Sequence, residues 1–382
     1  MDLAFAPTPT PTPISESAPV DFTPLHAFDE ANRCTSPGRQ LDLVRAAAPR
    51  FREEFAATGM PEYVGTFDLV SLPYPTEYGL FRACASPSPF LIITNRLLVV
   101  RWRDREGATR TLLFEPSDTE LGRNTPFFAA LSRSAPAFLE RFAFHQHGTV
   151  LGHLKRLGIR PEEVDYLCFD HLHTQDVRRL IGTRRPAADL SPGGPVTPMF
   201  PRARLVVQRR ELEALRDLHP VQRPWYQPET YGDLREERLL AIDGDVLLGP
   251  GVALVATPGH TEGNHSLVLN TASGIWACSE NAVAAECLTP EHSEIWGLRR
   301  RAADRGVEVV VNGNTLETHA EQYNSVVKEK CLVDRSAKDP RFVQFFPTSE
   351  LSPHWMSPGV APTFTHGRIE HGALRGAGGA PR

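Results

Sequence analysis

At 382 residues, 41% apolar and 23% charged, with a formal net charge of -5, the chain has the composition of a globular protein long enough for one large domain with extensions or two smaller ones. An acidic balance without a long basic block argues against nucleic acid as the main partner, and the lack of any run of about eighteen apolar residues excludes a membrane-spanning helix. No basic stretch followed by an apolar one opens the sequence, and its six cysteines form no C-x-x-C pair, so the expected setting is the cytosol without a disulfide framework.

Residues 1–35 read as a disordered tail that contains the extended run Pro7-Thr8-Pro9-Thr10-Pro11-Thr12-Pro13. Leu41, Val44, Ala48 and Phe51 recur at helical spacing and predict a helix over Leu41–Phe55. Between Tyr63 and Phe114, apolar runs predict strands at 66–70, 90–94, 97–102 and 111–114, with hairpin turns at Asn95-Arg96 and Glu106-Gly107. Pro126 to Leu157 reads mostly as helix. Strands near 164–169, 203–207, 252–256, 265–269 and 307–311 then alternate with helices near 209–217, 290–303 and 317–330, the pattern of a layered α/β domain over 36–330. Arginine pairs such as Arg209-Arg210 read as solvated helix faces. Residues 331–382 form a C-terminal extension. Phe342, Phe345, Phe346, Trp355 and Phe364 make it too apolar for a solvated tail, so it is expected to pack on the domain or on a partner in a homodimer, with only the Gly-rich end disordered.

The densest chemical signal follows the apolar run Val164–Phe169. His171 and His173 stand at i and i+2 where a buried strand ends, so one short turn can aim both imidazoles at one ion. His260 supplies the third ring: it follows the strand-like Val252–Ala256 and is carried on a loop opened by Pro258-Gly259. Three neutral imidazoles with an open position are the ligand set of a catalytic zinc site.

Around these residues the chain resembles the metallo-β-lactamase-fold hydrolases. The likeness is carried by Leu157-Gly158-Ile159-Arg160-Pro161-Glu162-Glu163-Val164-Asp165 ahead of Asp170-His171-Leu172-His173, by the segments 200–207 and 243–252, and by Thr257-Pro258-Gly259-His260-Thr261-Glu262-Gly263, in the family's order over roughly residues 110 to 320. The resemblance implies a metallo-β-lactamase-like αββα sandwich of the α/β class, with metal ligands on loops at one sheet edge. It also implies a metal-dependent hydrolase acting on a small-molecule ester, lactone, thioester, amide or phosphodiester through a metal-activated water.

Departures from the family pattern cluster at its second metal position. Gln175 and Asp176 stand where the family has Asp then His, Glu280 stands where it has a bridging Asp, and Asn314 aligns with its last His, with His366 in the tail as another candidate for that ligand. Two outcomes stay open. Asp176 and Glu280 are oxygen donors that, with Asn314, would suit a second and harder ion such as iron or manganese beside zinc. In a mononuclear site, either carboxylate instead becomes the catalytic base. Asp170, Gln175, His265, Asn281 and Asn314 are the candidates for contact with substrate or support of the ligands; Asp170 in particular is placed to accept a ligand imidazole N–H. An iron-dependent oxidoreductase on the same fold and a catalytically degenerate binding protein are the rival readings.

Overall fold

The computed structural model of the chain describes residues 22–134, 144–313 and 315–374. Within them the apolar runs pair into two large sheets. One runs in the order Thr23–Pro24, Val246–Gly249, Val252–Ala256, His265–Thr271, Gly274–Ser279, Phe345–Pro347. The other runs Leu239–Ile242, Arg204–Gln208, Tyr166–Cys168, Thr109–Phe114, Phe90–Arg103, Tyr63–Pro75, Glu370–Gly372, with Ser349–Ser352 paired to Phe90–Arg103.

Alternation along each strand sends side chains to opposite faces and builds the layers. Leu98, Val100, Trp102, Leu112 and Phe114 of the second sheet meet Leu254, Leu267, Leu269 and Cys278 of the first in one buried cluster between the sheets. The outer face of the first sheet, through Val255, Val268 and Ala277, packs on Val44, Phe51 and Phe55 of helix Pro37–Ala57 and on Val326 and Val327 of helix His319–Leu332. The outer face of the second sheet, through Leu97, Val99 and Leu205, packs on Leu154 of helix Val150–Leu157 and on Leu212. The architecture is therefore the αββα sandwich, and continuous apolar runs such as Leu97–Val100 belong to strands buried on both faces. Among the described residues no helix is long and apolar enough to cross a membrane.

Four expectations are corrected. Asn95-Arg96 is no hairpin turn: Phe90–Arg103 is one continuous strand, flanked along its first half by Ser349–Ser352 and along its second by Thr109–Phe114. Arg96 stays extended there because its guanidinium pairs with Asp68 and the buried Glu350. Val309–Val311 is buried but lies outside the strands, tied by Val310 N–H to Cys287 O and Asn312 N–H to Asn281 O. The tail does not extend to residue 35, since Thr23–Pro24 joins the first sheet and Phe28 is fully buried against Phe51; residues 1–21 lie outside the described residues, as does the end of the chain after 374. The domain does not close at 330 either. Phe345–Pro347 adds a parallel strand to Gly274–Ser279, and Ser349–Ser352 enters the other sheet, so this segment belongs to both layers of its own domain.

Candidate metal centre

Three strand ends deliver the site. Tyr166–Cys168 of the second sheet runs into the loop 169–177, while Val252–Ala256 and Gly274–Ser279 of the first run into the loop 257–264 and into Glu280. The first loop turns sharply because Thr174, a β-branched residue, is held at φ 63, in the left-handed region, with its N–H donating to Trp225 O at 2.6 Å. The second turns at Gly259, φ 127, where an added Cβ would lie 2.3 Å from the Gln322 nitrogen. His265 N–H donates to Asp170 O at 2.9 Å and so stitches the two sheet ends together next to the ligand turn.

These turns bring His171, His173 and His260 together, with one nitrogen from each within 4.8 Å of the others and ring centroids 4.5 to 5.0 Å apart. Their tautomers follow from their neighbours. Asp170, fully buried, accepts the Nδ1–H of His171, the Glu280 N–H at 2.6 Å and the Thr348 hydroxyl at 3.0 Å. This leaves His171 Nε2 with a free lone pair. Gln222 donates Nε2–H to His260 O at 3.0 Å, which turns its Oε1 toward His173 Nε2 as an acceptor and frees His173 Nδ1. His171 Nε2 and both ring nitrogens of His260 are buried with no hydrogen-bond partner. Buried polar atoms are rarely left so, and three converging nitrogen donors fit a divalent zinc ion.

The electrostatics agree. Burial, then the neighbouring imidazoles, hold His173 well below the usual histidine range, and burial with His171 pushes His260 down to about 3. Both therefore stay neutral, as metal ligands must. His171 moves the other way: burial opposes its cation, but Asp170 overrides this and raises it to about 9. A carboxylate that draws a proton to this imidazole also strengthens its hold on a metal ion in the proton's place.

The other expected site residues separate. Glu280 lines the pocket beside His173, its Oε2 accepting from Ser349 at 3.0 Å, and burial lifts it to about 7. Gln175 lines the same pocket and donates to Ser117 at 3.1 Å. Asp176 is not brought together with the three histidines. Its two oxygens accept from Arg178 Nε at 3.0 Å and Nη2 at 2.7 Å, and it stands outside the histidine group. His265 Nε2 lies 2.9 Å from Phe169 O, a support to the strand end and not a ligand. Asn281 is buried below the site, donating to Thr257 O and Glu329. His366 is corrected as a ligand: it packs on Trp276 and Phe364 with Nε2 on Val343 O. Asn314 lies outside the described residues. Next to His173 and Glu280 the pocket is walled by Val70, Leu72, Tyr74, Ile93, Phe128 and Trp225.

Glu211, Gln222 and Tyr226 were not found by sequence reasoning. All three surround the ligand loops. The one signal available was that Glu211 comes shortly after the apolar Leu205–Val207, in the helical turn that follows a buried strand.

No family model matches the chain. Among curated proteins it is 30% identical over 118 residues to an N-acyl homoserine lactonase of a Bacillus species, and 31% and 33% identical over the same length to those of Bacillus cereus and Bacillus thuringiensis. Each alignment covers 31% of this chain and 38% of the relative. Among solved structures it is similar to a probable metal-dependent hydrolase from Staphylococcus aureus (TM-score 0.47, 11% identity, 71% of this chain and 84% of that one). It is also similar to AidC, a dizinc quorum-quenching lactonase with a bound product (0.43, 12%, 71% and 83%).

Proposed function

We propose that this chain is a zinc-dependent hydrolase of a carboxylic ester or lactone that carries an apolar group. The observation behind this reading is the set of three converging imidazoles, two with tautomers fixed by Asp170 and Gln222 and buried nitrogens otherwise unpartnered, beside an apolar pocket. A zinc ion held there supplies Lewis acidity toward a carbonyl and lowers the pKa of water. The chain's own groups do the rest. The walls formed by Leu72, Ile93, Phe128 and Trp225 bind the apolar part of the substrate and exclude water from it. Glu280, raised to about 7 by burial, is matched to taking a proton near neutral pH and giving it to the leaving group, with the Ser349 hydroxyl fixing one of its oxygens.

The likeness to N-acyl homoserine lactonases over part of their length supports a lactone among the substrates to be tried first. A single ion fits better than two, because Gln175 brings no charge and Asp176 is committed to Arg178. The same pairing removes half of the oxygen-donor case for an iron oxidoreductase. Elemental analysis with a screen of acyl lactones and esters tests the reading. The expected result is about one zinc per chain and hydrolysis that His171→Ala abolishes together with the zinc; Glu280→Gln should keep the zinc and lose on the order of a hundredfold in kcat. Protein that binds no metal, or hydrolysis unaffected by His171→Ala, overturns it.

A further inference from the structure

We propose that Glu211 is the positioning residue that holds the two metal-ligand loops in register, so that zinc affinity depends on a carboxylate that is not itself a ligand. This rests on the zinc-site reading above. Glu211 lies in the first turn of the short helix Arg209–Ala214 and is fully buried. Its Oε1 accepts the Leu172 N–H at 2.9 Å and the Tyr226 hydroxyl at 2.8 Å; its Oε2 accepts the Thr261 hydroxyl at 2.7 Å and the Gly263 N–H at 3.1 Å.

Leu172 is the residue between His171 and His173, and Thr261 follows His260 directly. One carboxylate therefore grips the backbone between the first two ligands with one oxygen and the loop of the third with the other. Tyr226, held by the same Oε1, places its ring 4.7 Å from the His173 ring. The loop lies hard against the helix, since a Cβ on Gly263 would fall 2.3 Å from the Glu211 nitrogen and Cβ. Hydroxyls can rotate to serve a different partner, but the Leu172 and Gly263 amides can only donate. A glutamine here has one acceptor oxygen, so its NH2 must face one of those two amides and that loop is released from the clamp.

The test measures zinc affinity by competition with a chromogenic chelator, alongside melting of the metal-free protein. Glu211→Gln is expected to weaken zinc binding at least tenfold, and Thr261→Val, which deletes one donor and keeps the carboxylate, to weaken it in the same direction by less. Phe55→Ala, in the distant outer core, serves as the control: it should lower melting and leave zinc affinity within twofold of the wild type, which is what a merely structural role of Glu211 would also produce. Zinc affinity within twofold of wild type in both Glu211→Gln and Thr261→Val overturns the inference, and if Glu211→Gln does not fold, Thr261→Val alone decides it. Wild-type protein that binds no zinc overturns the metal-site reading itself and this inference with it.

Discussion

Glu329 shows how one buried carboxylate beneath the His260 loop couples the fold to pH. Its Oε1 accepts from the hydroxyls of Ser266 and Ser279, at 2.5 and 2.7 Å, and from Asn281 Nδ2 at 3.1 Å. Burial nevertheless outweighs these donors and raises its pKa from 4.5 to about 7. The folded state therefore holds the proton more tightly than the unfolded state. This contribution to stability is complete below about pH 4.5 and is lost as pH rises through about 7. The shift corresponds to roughly 3 kcal/mol, at about 1.36 kcal/mol per unit. Glu329→Gln does not titrate, so urea unfolding at pH 5 and pH 8 should show the variant gaining on wild type by about 2–3 kcal/mol across that interval. A difference between the two proteins that stays constant with pH would refute the assignment.

Among the elements, Phe345–Pro347 bears more load than its three residues suggest. Phe345 and Phe346 point to opposite faces of the first sheet: one enters the cluster packed on the outer helices, the other the cluster between the sheets, and both are fully buried. Phe345→Ala should cost about 3–5 kcal/mol in urea unfolding, whereas Trp355→Ala, at a side chain 73% exposed, should stay within about 0.5 kcal/mol. Equal effects would mean that the segment is an appendage. Sequence reasoning marked these phenylalanines as packed but left the strand out of the domain, because adjacent apolar residues in a three-residue strand show no period and its parallel partner, Gly274–Ser279, is distant in the chain. Asn95-Arg96 failed for the related reason that a polar pair inside an apolar run has the composition of a turn. What keeps it extended is a strand on each side and carboxylates at 68 and 350, none of which is local in sequence.

At the scale of the whole molecule, the three converging imidazoles proposed as ligands are contributed by both halves of the sandwich, His171 and His173 from the second sheet and His260 from the first. These three were legible because imidazoles at strand ends have few other reasons to occur in that spacing. Glu211 and Gln222 were not, since a Glu or Gln in an arginine-rich or loop segment reads as solvated until its neighbours are known. An ion that binds only when both sheets are in place stabilises the entire fold by mass action, because the unfolded chain offers no assembled site. At free zinc about a hundredfold above its dissociation constant the gain is about 2.7 kcal/mol. With an unfolding entropy of about 2.1 cal/mol/K per residue, a chain of this length should melt about 3–4 °C higher. Calorimetry with zinc, and with zinc removed by a chelator, measures the difference. The increment should vanish in His171→Ala, in which the site loses one of its three donors while the two sheets remain. If zinc leaves the wild-type melting temperature unchanged, or the increment survives in His171→Ala, the ion is not held between the two sheets.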